Sequence, residues 1–358
     1  MTRAFKYILP FTLYGLGVLA FTKTGVFTWL PLVYTFICIP VLEIMVKPAS
    51  NNLSAIEEDI QKVNPVYDYI LYAVVVFQFV ALWLFLKSMV VADLSLSDTI
   101  GRVIAMGLLC GIFGINVAHE LGHRVNFIEQ LFAKSLLLTS LYMHFFIEHN
   151  KGHHKHVATP HDPSTAKLNQ SLYRFWLQTL PGTYLSAWHI AIADATKKNK
   201  VFPKLNNEMF LFQVVQLLFV IGVFYFFGMK AMVGFLIAAL IGGLLLEAVN
   251  YIEHYGLLRK TMDTGKYERV LPQHSWNSDH IFGRLLLFEL SRHSDHHYLA
   301  SRKYQILRSM DQAPQMPTGY PGMILLALVP PIWFRVMDVQ MKRFDVLPKR
   351  NEQLSPSI

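Results

Sequence analysis

The chain has 358 residues, of which 53% are hydrophobic and 16% are charged, and its net charge is +8. An ordinary soluble protein carries about a quarter charged residues, so the composition excludes a set of soluble domains and indicates an integral membrane protein. In such a protein the positive charge reflects orientation and anionic lipid, and no basic surface with stacking aromatic residues indicates nucleic acid. Both cysteines lie inside apolar segments, which excludes a disulfide framework and a cysteine metal site.

Six apolar segments follow one another along the chain. Four of them fill residues 1–118, and two more form a hairpin that turns at Gly228 within residues 209–249. Each approaches the roughly 20 residues that are needed to cross hydrocarbon. The segments span residues 7–21, 26–45, 69–91, 100–118, 210–227 and 232–249. The sequence therefore predicts an all-α integral membrane protein with six transmembrane helices.

Charges in the loops predict the orientation of these helices. The loop between the third and fourth segments contains Asp93 and Asp98 but neither Lys nor Arg, which places it outside. Six crossings then place both termini, and residues 119–208 and 250–358, on the cytoplasmic side. Residues 131–147 are also apolar, but we expect them to form a helix buried at the cytoplasmic surface. A crossing there would separate two histidine clusters that have to meet.

Histidines are clustered at four places, where apolar segments end or just beyond. The nine clustered histidines are His119, His123, His149, His153, His154, His254, His293, His296 and His297. Spacings of three to five residues place neighbours on one side of a helix, so His149, His153 and His154 are expected to point roughly one way. Imidazole is the commonest metal ligand in proteins, and a tetrahedral site takes about four ligands. Nine histidines therefore suit two metal ions in a cytoplasmic, histidine-rich cap.

Imidazole ligands bring no negative charge, so nearby polar side chains should orient the rings and tune their basicity. The candidates for this role are Asn116, Glu148, Glu253 and Asp295, which are equally consistent with ordinary polar surface residues. No catalytic residue is predicted beyond the metal ligands. The remaining histidines are expected to pack or to face solvent, and those considered are His144, His156, His161, His189, His274 and His280.

These motifs resemble the integral-membrane alkane 1-monooxygenases, the alkane ω-hydroxylases of the histidine-box superfamily that includes fatty acid desaturases. The resemblance is carried by His-Glu-Leu-Gly-His-Arg from His119, Glu-His-Asn-Lys-Gly-His-His from Glu148, Asn-Tyr-Ile-Glu-His-Tyr-Gly from Asn250 and Arg-His-Ser-Asp-His-His from Arg292. It covers most of residues 100–335. One departure is Ser291, which stands where the family usually has Gln.

The resemblance implies a fatty-acid-desaturase-like fold and a non-haem enzyme with two Fe ions. Such an enzyme hydroxylates the terminal methyl group of medium- to long-chain n-alkanes to 1-alkanols with O₂, in the bacterial inner membrane. Electrons would come from NAD(P)H through rubredoxin reductase and rubredoxin, which is expected to dock on basic residues near the site. An alkane dissolved in membrane lipid would stand in a channel between the helices. Trp29 and Trp83 are candidates for the floor of that channel.

Other functions remain open at this stage. A related membrane hydroxylase of alkyl-aromatics, of the xylene or cymene type, would use the same metals with a wider pocket. A fatty-acyl desaturase or hydroxylase would need a site for a polar headgroup, and a non-catalytic iron-binding membrane protein is a further alternative. The His119-Glu120-x-x-His123 motif also fits an intramembrane zinc metalloprotease with Glu120 as general base, but that leaves most clustered histidines unexplained.

Overall fold

A computed structural model describes residues 2–346 of the chain. Within this range the regular structure is helical, and pairing of extended backbone is limited to two isolated bridges, Thr261 with Tyr267 and Asn277 with Gln315. The all-α prediction is therefore confirmed for the described residues. The predicted location of the C-terminal end, residues 347–358, lies outside them.

Five helices in the described range are long and apolar enough to cross a membrane. They are Arg3–Thr22, Gly25–Met45, Val66–Met89, Leu96–Gly122 and Glu208–His254. The first four correspond to the first four predicted segments, with ends that differ by a few residues. The second and fourth helices are not regular α-helix throughout. Gly25–Met45 opens with a 3-10 turn, and each of the two helices contains a π turn.

The fifth long helix contains both halves of the predicted hairpin. An unbroken helix of its 47 residues would be roughly 70 Å long, more than twice the thickness of the hydrocarbon core. Its backbone leaves helical geometry at Gly228, where φ is 80° and ψ is 179°, a conformation that glycine tolerates. The rings of Phe219 and Phe235, on opposite sides of this break, pack with their centroids 5.7 Å apart. The two halves therefore run antiparallel, as the sequence predicts.

The returning half of the hairpin packs closely on the fourth long helix. At Gly242 an added Cβ would lie 2.6 Å from Cys110 Cβ, so the two backbones approach too closely for a side chain. Small residues at such contacts are typical of helix pairs in membranes. This contact brings His254, at the end of the fifth long helix, towards His119, near the end of the fourth.

The apolar residues 131–147 form no crossing helix, which agrees with the prediction. The prediction that they lie at the cytoplasmic surface is wrong. The helix Phe127–Leu138 has 12 residues, and a second short helix, Phe145–Glu148, leads back to the histidines. Tyr72, near the start of Val66–Met89, donates to Glu129 over 2.9 Å, and Gln78 donates to Thr139 over 3.1 Å. Gln78 lies roughly 18 Å along its helix from Val66. The segment therefore enters the bundle and returns.

One more long helix and several short ones complete the fold, and they come both before and after the first histidine cluster. A long helix, Leu172–Lys197, lies across one side, and the short helix Ala55–Val63 begins with a capping box between Ser54 and Glu57. The last part of the chain adds four further α-helices, which are Ile281–Leu286, His293–Tyr298, Tyr320–Ala327 and Pro330–Val346.

Buried ion pairs fix the loop that leads into the last histidine cluster. Arg292 Nε lies 3.2 Å from Asp279, and Arg284 Nε lies 2.8 Å from Glu289. Lys6 Nζ lies 2.9 Å from the same Glu289, which ties the N-terminal helix to this loop. Removing one partner of a buried pair leaves an uncompensated charge, so these contacts hold the loop in one arrangement.

Candidate metal centre

The ends of separate helices bring the nine histidines together. His119 lies in the last turn of Leu96–Gly122, and His123 caps that helix. His254 is the last residue of Glu208–His254. The other six lie on short elements, which are the π turn His149–His153, the adjoining His154, and the helix His293–Tyr298. Four segments that are distant in sequence thus meet at one end of the bundle.

The nine side chains fall into two groups, and within each group the candidate ligand atoms lie within 4.8 Å of one another. One group has five members, His119, His123, His149, His154 and His296. The other has four members, His153, His254, His293 and His297. Groups of five and four match the numbers expected for two metal ions. That these side chains bind metal stays a prediction.

The π turn divides the second cluster between the two groups, while its three rings stay neighbours, with the His149 and His153 centroids 5.3 Å apart and those of His153 and His154 6.0 Å apart. A π turn has about one residue more per turn than an α-helix, which brings residues five apart together. His149 Nε2 and His154 Nε2 lie 3.0 Å apart, whereas His153 Nε2 faces His297 Nε2 over 3.2 Å. A π turn at Cys110–Ile115 precedes the first cluster as well.

The donor atoms suit a cation. The Nε2 atoms of His119 and His296 lie 2.9 Å apart, and those of His254 and His293 lie 3.2 Å apart. Two neutral imidazoles share at most one hydrogen between such a pair of nitrogens, and a group of four or five leaves several lone pairs pointing at one another. A metal ion with imidazole ligands satisfies these lone pairs together. The residues therefore fit two metal ions.

Burial keeps most of these rings neutral, as metal ligands have to be. It lowers the pKa of His149 and of His296 well below the ordinary histidine value, and neighbouring histidines lower both further. His123 remains partly exposed, yet burial and then Arg124 lower its pKa to about 4. At neutral pH these nitrogens carry free lone pairs, and no proton has to be removed before they bind a metal.

Two carboxylates contact rings of the nine clustered histidines. The Glu253 carboxylate lies 3.2 Å from His293 Nε2 and accepts a hydrogen bond from the Tyr320 hydroxyl over 2.7 Å. Asp162 lies 3.0 Å from His153 Nδ1. Burial lowers the pKa of His153, but Asp162, Glu148 and Glu247 together outweigh it, and the net pKa is raised. Asp162 was missed by sequence reasoning because it lies nine residues after His153, outside every cluster.

The other three predicted polar neighbours do not hydrogen-bond a clustered histidine ring within the described residues. Asn116 donates to the Leu287 carbonyl over 2.9 Å. Asp295 accepts from the backbone N–H of Arg308 over 2.8 Å and lies 3.1 Å from Arg302 Nε. Glu148 accepts from Ser186 over 3.4 Å, and burial, then the nearby Asp162, raise its pKa to about 8. Of the four predicted residues, Glu253 alone contacts a ring.

The six histidines expected to lie outside the ligand set belong to neither group. His144 is buried against Tyr142, with ring centroids 4.2 Å apart, and His189 is exposed on Leu172–Lys197. The rings of His156 and His161 approach each other, while His274 contacts Glu268 and His280 contacts Ser278. The separation predicted from the sequence agrees with this geometry.

An apolar cavity inside the bundle approaches the histidines. Its lining residues are Thr35, Phe36, Leu108, Gly111, Ile112, Asn116, Leu245, Leu246, Val249, Leu286, Leu287, Leu290, Tyr320, Pro321 and Ile324. One end lies at the candidate metal centre, because Asn116 is one helical turn before His119 and the Tyr320 hydroxyl contacts Glu253. Leu108 is roughly 16 Å further along the same helix as His119. The cavity is thus long, apolar and parallel to the helices.

The predicted candidates for the floor of this channel were wrong. Trp29 does not line the cavity, and its Nε1 donates to Ser97 over 3.2 Å between the ends of two long helices. Trp83 is 50% exposed on the outer side of the bundle, with Lys87 Nζ 4.8 Å from its ring centroid. Aliphatic side chains, such as Leu108 and Leu245, take the place expected of these rings.

Comparisons with known proteins agree with the motifs. The family model for fatty acid desaturases matches residues 99–327. Alkane 1-monooxygenase 2 of Alcanivorax borkumensis is 36% identical over 342 residues, which cover 94% of this chain and 88% of that protein. Alkane 1-monooxygenase of Pseudomonas putida is 38% identical over 325 residues, 88% of this chain and 79% of that protein.

Two further matches are shorter. Alkane 1-monooxygenase 1 of Pseudomonas aeruginosa is 43% identical over 245 residues, and the match spans 68% of this chain and 64% of that relative, slightly under two thirds. The hydroxylase component of a Pseudomonas putida xylene/toluene monooxygenase is 29% identical over 238 residues. With five apolar helices, two groups of histidines and these relatives, the chain belongs to the fatty acid desaturase family and, within it, to the alkane 1-monooxygenases.

Proposed function

We propose that this protein hydroxylates the terminal methyl group of medium- to long-chain n-alkanes, with O₂ as oxidant, to give 1-alkanols. The observation that carries the proposal is the apolar cavity, one end of which lies beside the two groups of histidines. Its mostly apolar lining suits an alkyl chain, which makes no polar contact and is held by close packing against the aliphatic walls.

The metals of the proposal are two non-haem irons. One would be held by the five-histidine group and the other by the four-histidine group. When bound, iron supplies the oxidising chemistry that an unactivated C–H bond requires. Asp162 contacts the Nδ1 atom of His153, so the Nε2 atom of that ring faces the four-histidine group. Glu253 is held in turn by Tyr320.

Selectivity for the terminal carbon follows from the shape of the cavity. It runs along the helices, and its remote end lies roughly 16 Å from His119. A linear chain therefore presents one end to the histidines and keeps its internal CH₂ groups between aliphatic walls. Internal C–H bonds are weaker, but they do not reach the reacting centre. The surrounding protein also excludes water from the reaction.

For the electron donor we propose rubredoxin, docking on the cytoplasmic face beside the histidines. The basic residues expected to form this surface are partly neutralised in the structure. Lys151 pairs with Asp194 over 2.5 Å, Lys303 with Asp68 over 2.8 Å, and Arg308 with Glu58 over 2.5 Å. Lys155, Lys197, Lys198 and Lys200 remain as further candidates. Docking of an acidic donor on them would be steered electrostatically and slowed by salt.

Hydroxylation of an alkyl-aromatic is the second candidate, favoured by the xylene/toluene relative. An aromatic ring is wider than a linear chain. Gly111 and Leu245 both line the cavity and pack directly against each other, because an added Cβ at Gly111 would lie 3.2 Å from Leu245 Cβ. Toluene and octane, offered side by side, separate the two candidates.

Product analysis tests the proposal directly. The purified protein, reconstituted with rubredoxin and rubredoxin reductase, is offered octane, toluene and a fatty acyl substrate, and its iron and zinc are quantified. We expect 1-octanol as the main product and about two irons per chain, from the two groups of histidines. His254→Ala should abolish turnover, whereas the matched control His189→Ala, at an exposed position, should retain it. Secondary octanols as the main product, or zinc in place of iron, would contradict the proposal.

A further inference from the structure

The apolar cavity contains one buried hydroxyl group without a hydrogen-bond partner in the described residues. Thr35 lies in the π turn Tyr34–Cys38, is 3% exposed, and its Oγ1 atom has no partner. Buried hydroxyl groups are nearly always paired, because an unpaired one is costly. A helical threonine commonly donates to the carbonyl four residues earlier, as Thr183 does to Thr179 over 2.8 Å. Thr35 does not, so its hydroxyl remains available to a ligand.

Thr35 lies at the end of the cavity that is remote from the histidines. On the same helix, Glu43 accepts a hydrogen bond from the Gly283 N–H over 2.7 Å and lies against Gly319. Gly319 precedes Tyr320, whose hydroxyl contacts Glu253 at the candidate metal centre. Thr35 is eight residues before Glu43, or roughly 12 Å along the helix. The cavity therefore has the histidines at one end and an unpaired hydroxyl towards the other.

We propose that the cavity accepts a second class of substrate, medium-chain primary alkanols, bound with the hydroxyl group on Thr35 and the methyl group facing the histidines. The proposal rests on the terminal hydroxylation proposed above. One methyl C–H bond breaks and a C–O bond forms. One oxygen atom of O₂ enters the new hydroxyl group. The other leaves as water, which takes up two protons from solvent and two electrons from a rubredoxin-type carrier. The product is an α,ω-diol.

A competing orientation gives a different product. An alkanol whose hydroxyl group faces the histidines would be oxidised at the carbinol carbon to an aldehyde. Asn116 and Tyr320 are the polar side chains beside that end, and the Asn116 amide nitrogen already donates to the Leu287 carbonyl while the Tyr320 hydroxyl donates to Glu253. Apart from Thr35, the remote part of the lining is aliphatic or aromatic. The ratio of diol to aldehyde therefore reports how strongly Thr35 holds the hydroxyl group.

The test measures this ratio with 1-octanol, 1-decanol and 1-dodecanol in the reconstituted, iron-loaded enzyme, with octane hydroxylation measured beside it. We expect diol from the unmodified enzyme, with a maximum at one chain length that matches the distance from Thr35 to the histidines. Thr35→Val should lower the ratio about fivefold, as for the loss of one net hydrogen bond. Octane has no hydroxyl group, so its hydroxylation should fall by less than diol formation does. Thr35→Ser, which restores a hydroxyl group, should restore the ratio.

Thr28→Val is the matched control. Thr28 lies on the same helix, is 1% exposed, donates to the Gly25 carbonyl over 2.9 Å and does not line the cavity. The ratio should be unchanged in this variant. The unfolding temperature of Thr35→Val should equal or exceed that of the unmodified protein, because no intramolecular hydrogen bond is lost.

Three outcomes would overturn the inference. The first is an unchanged diol-to-aldehyde ratio in Thr35→Val, and the second is an equal fall in Thr28→Val. The third is octane hydroxylation without any diol from the alkanols, which would overturn this inference and leave the proposed function standing. Absence of octane hydroxylation in the unmodified enzyme would instead overturn both.

Discussion

At the scale of single residues, the contact between Asp162 and His153 Nδ1 fixes a ring of the candidate metal centre from behind. Both side chains are buried, and Asp162 also accepts from the Thr165 hydroxyl over 2.6 Å. A carboxylate on the far nitrogen of a metal-binding histidine selects the tautomer and raises the basicity of the ligand. The position of Asp162 therefore bears on metal affinity more than on the overall fold.

Replacement of Asp162 tests this role. Asp162→Asn should lower the affinity for iron by about tenfold to hundredfold, since the amide no longer supplies a negative charge to the ring. Iron retained after dialysis against a chelator is the measurement. Asp194→Asn, which removes a partly exposed carboxylate paired with Lys151, is the control and should retain its iron. Equal retention in both variants would show that Asp162 does not act on the metal.

The lowered histidine pKa values predict how the stability of the metal-free protein depends on pH. Free histidine titrates near 6.5, and burial lowers the pKa of His123 to about 4. Below pH 6.5 the unfolded chain therefore binds more protons than the folded chain, and the free energy of unfolding falls as the pH drops towards about 4. His153, whose pKa is raised, acts in the opposite direction but is outnumbered. Unfolding of metal-free protein that is independent of pH over this window would contradict the prediction.

The clustered histidines could be predicted from the sequence because residue type and short spacing suffice to find them. Their division into five and four could not, because a π turn, invisible in the residue pattern, places His149 and His154 in one group and the neighbouring His153 in the other. Asp162 and Thr35 were missed for a related reason. Each matters through a contact, or the lack of one, that only the folded chain defines.

At the scale of elements, length and apolar character were enough to predict the long helices and the reversal at Gly228. They were not enough for residues 131–147, whose apolar side chains suit the surface of a membrane and the inside of a bundle equally. Polar partners on other helices decide between these places. Gln78 donates to Thr139 and accepts from Tyr14 over 2.9 Å, and Ser140 donates to the Cys110 carbonyl over 3.2 Å. Polar backbone at such depth is tolerated because protein surrounds it.

Cysteine labelling tests the sidedness of these elements. In a variant without Cys38 and Cys110, single cysteines are placed at Asp93, Val125 and Lys155. Val125 is 99% exposed in the turn before Phe127–Leu138. We expect Asp93 to react with an impermeant reagent from outside, and Val125 and Lys155 to react from the cytoplasmic side, because Phe127–Glu148 enters the bundle and returns. Labelling of Val125 and Lys155 from opposite sides would contradict the fold.

At the scale of the whole molecule, the cavity depends on three long helices, on residues 286–290 and on Tyr320–Ala327, none of which defines it alone. The sequence indicated that a channel should exist, but its walls depend on how the helices pack. Leu108 faces the cavity, whereas its neighbour Leu109 is equally buried and packs elsewhere, against Gly17. Of two consecutive residues on one helix, Leu108 thus lines the cavity and Leu109 packs against a neighbouring helix.

This difference gives a prediction about chain length. Leu108→Ala should lengthen the cavity and shift the preferred alkane towards longer chains, with the terminal position still preferred. Leu109→Ala should leave the preference unchanged, although each substitution should cost about 2–5 kcal/mol of stability. Competition between octane and hexadecane, with products identified by chromatography, is the measurement. An identical shift in both variants would indicate general loosening of the bundle, and no shift in Leu108→Ala would place the chain elsewhere.

The division of the histidines also sets an order of events during synthesis. The five-histidine group includes His296, and the four-histidine group includes His293 and His297. The five-histidine group is not complete before residue 296 has been translated, nor the four-histidine group before residue 297, and by then all five long helices of the described range have been translated. A metal ion held by these groups therefore cannot guide the insertion of the helices. It would complete a bundle that has already formed, and a nascent chain interrupted before the last cluster has six of the nine histidines and neither complete group.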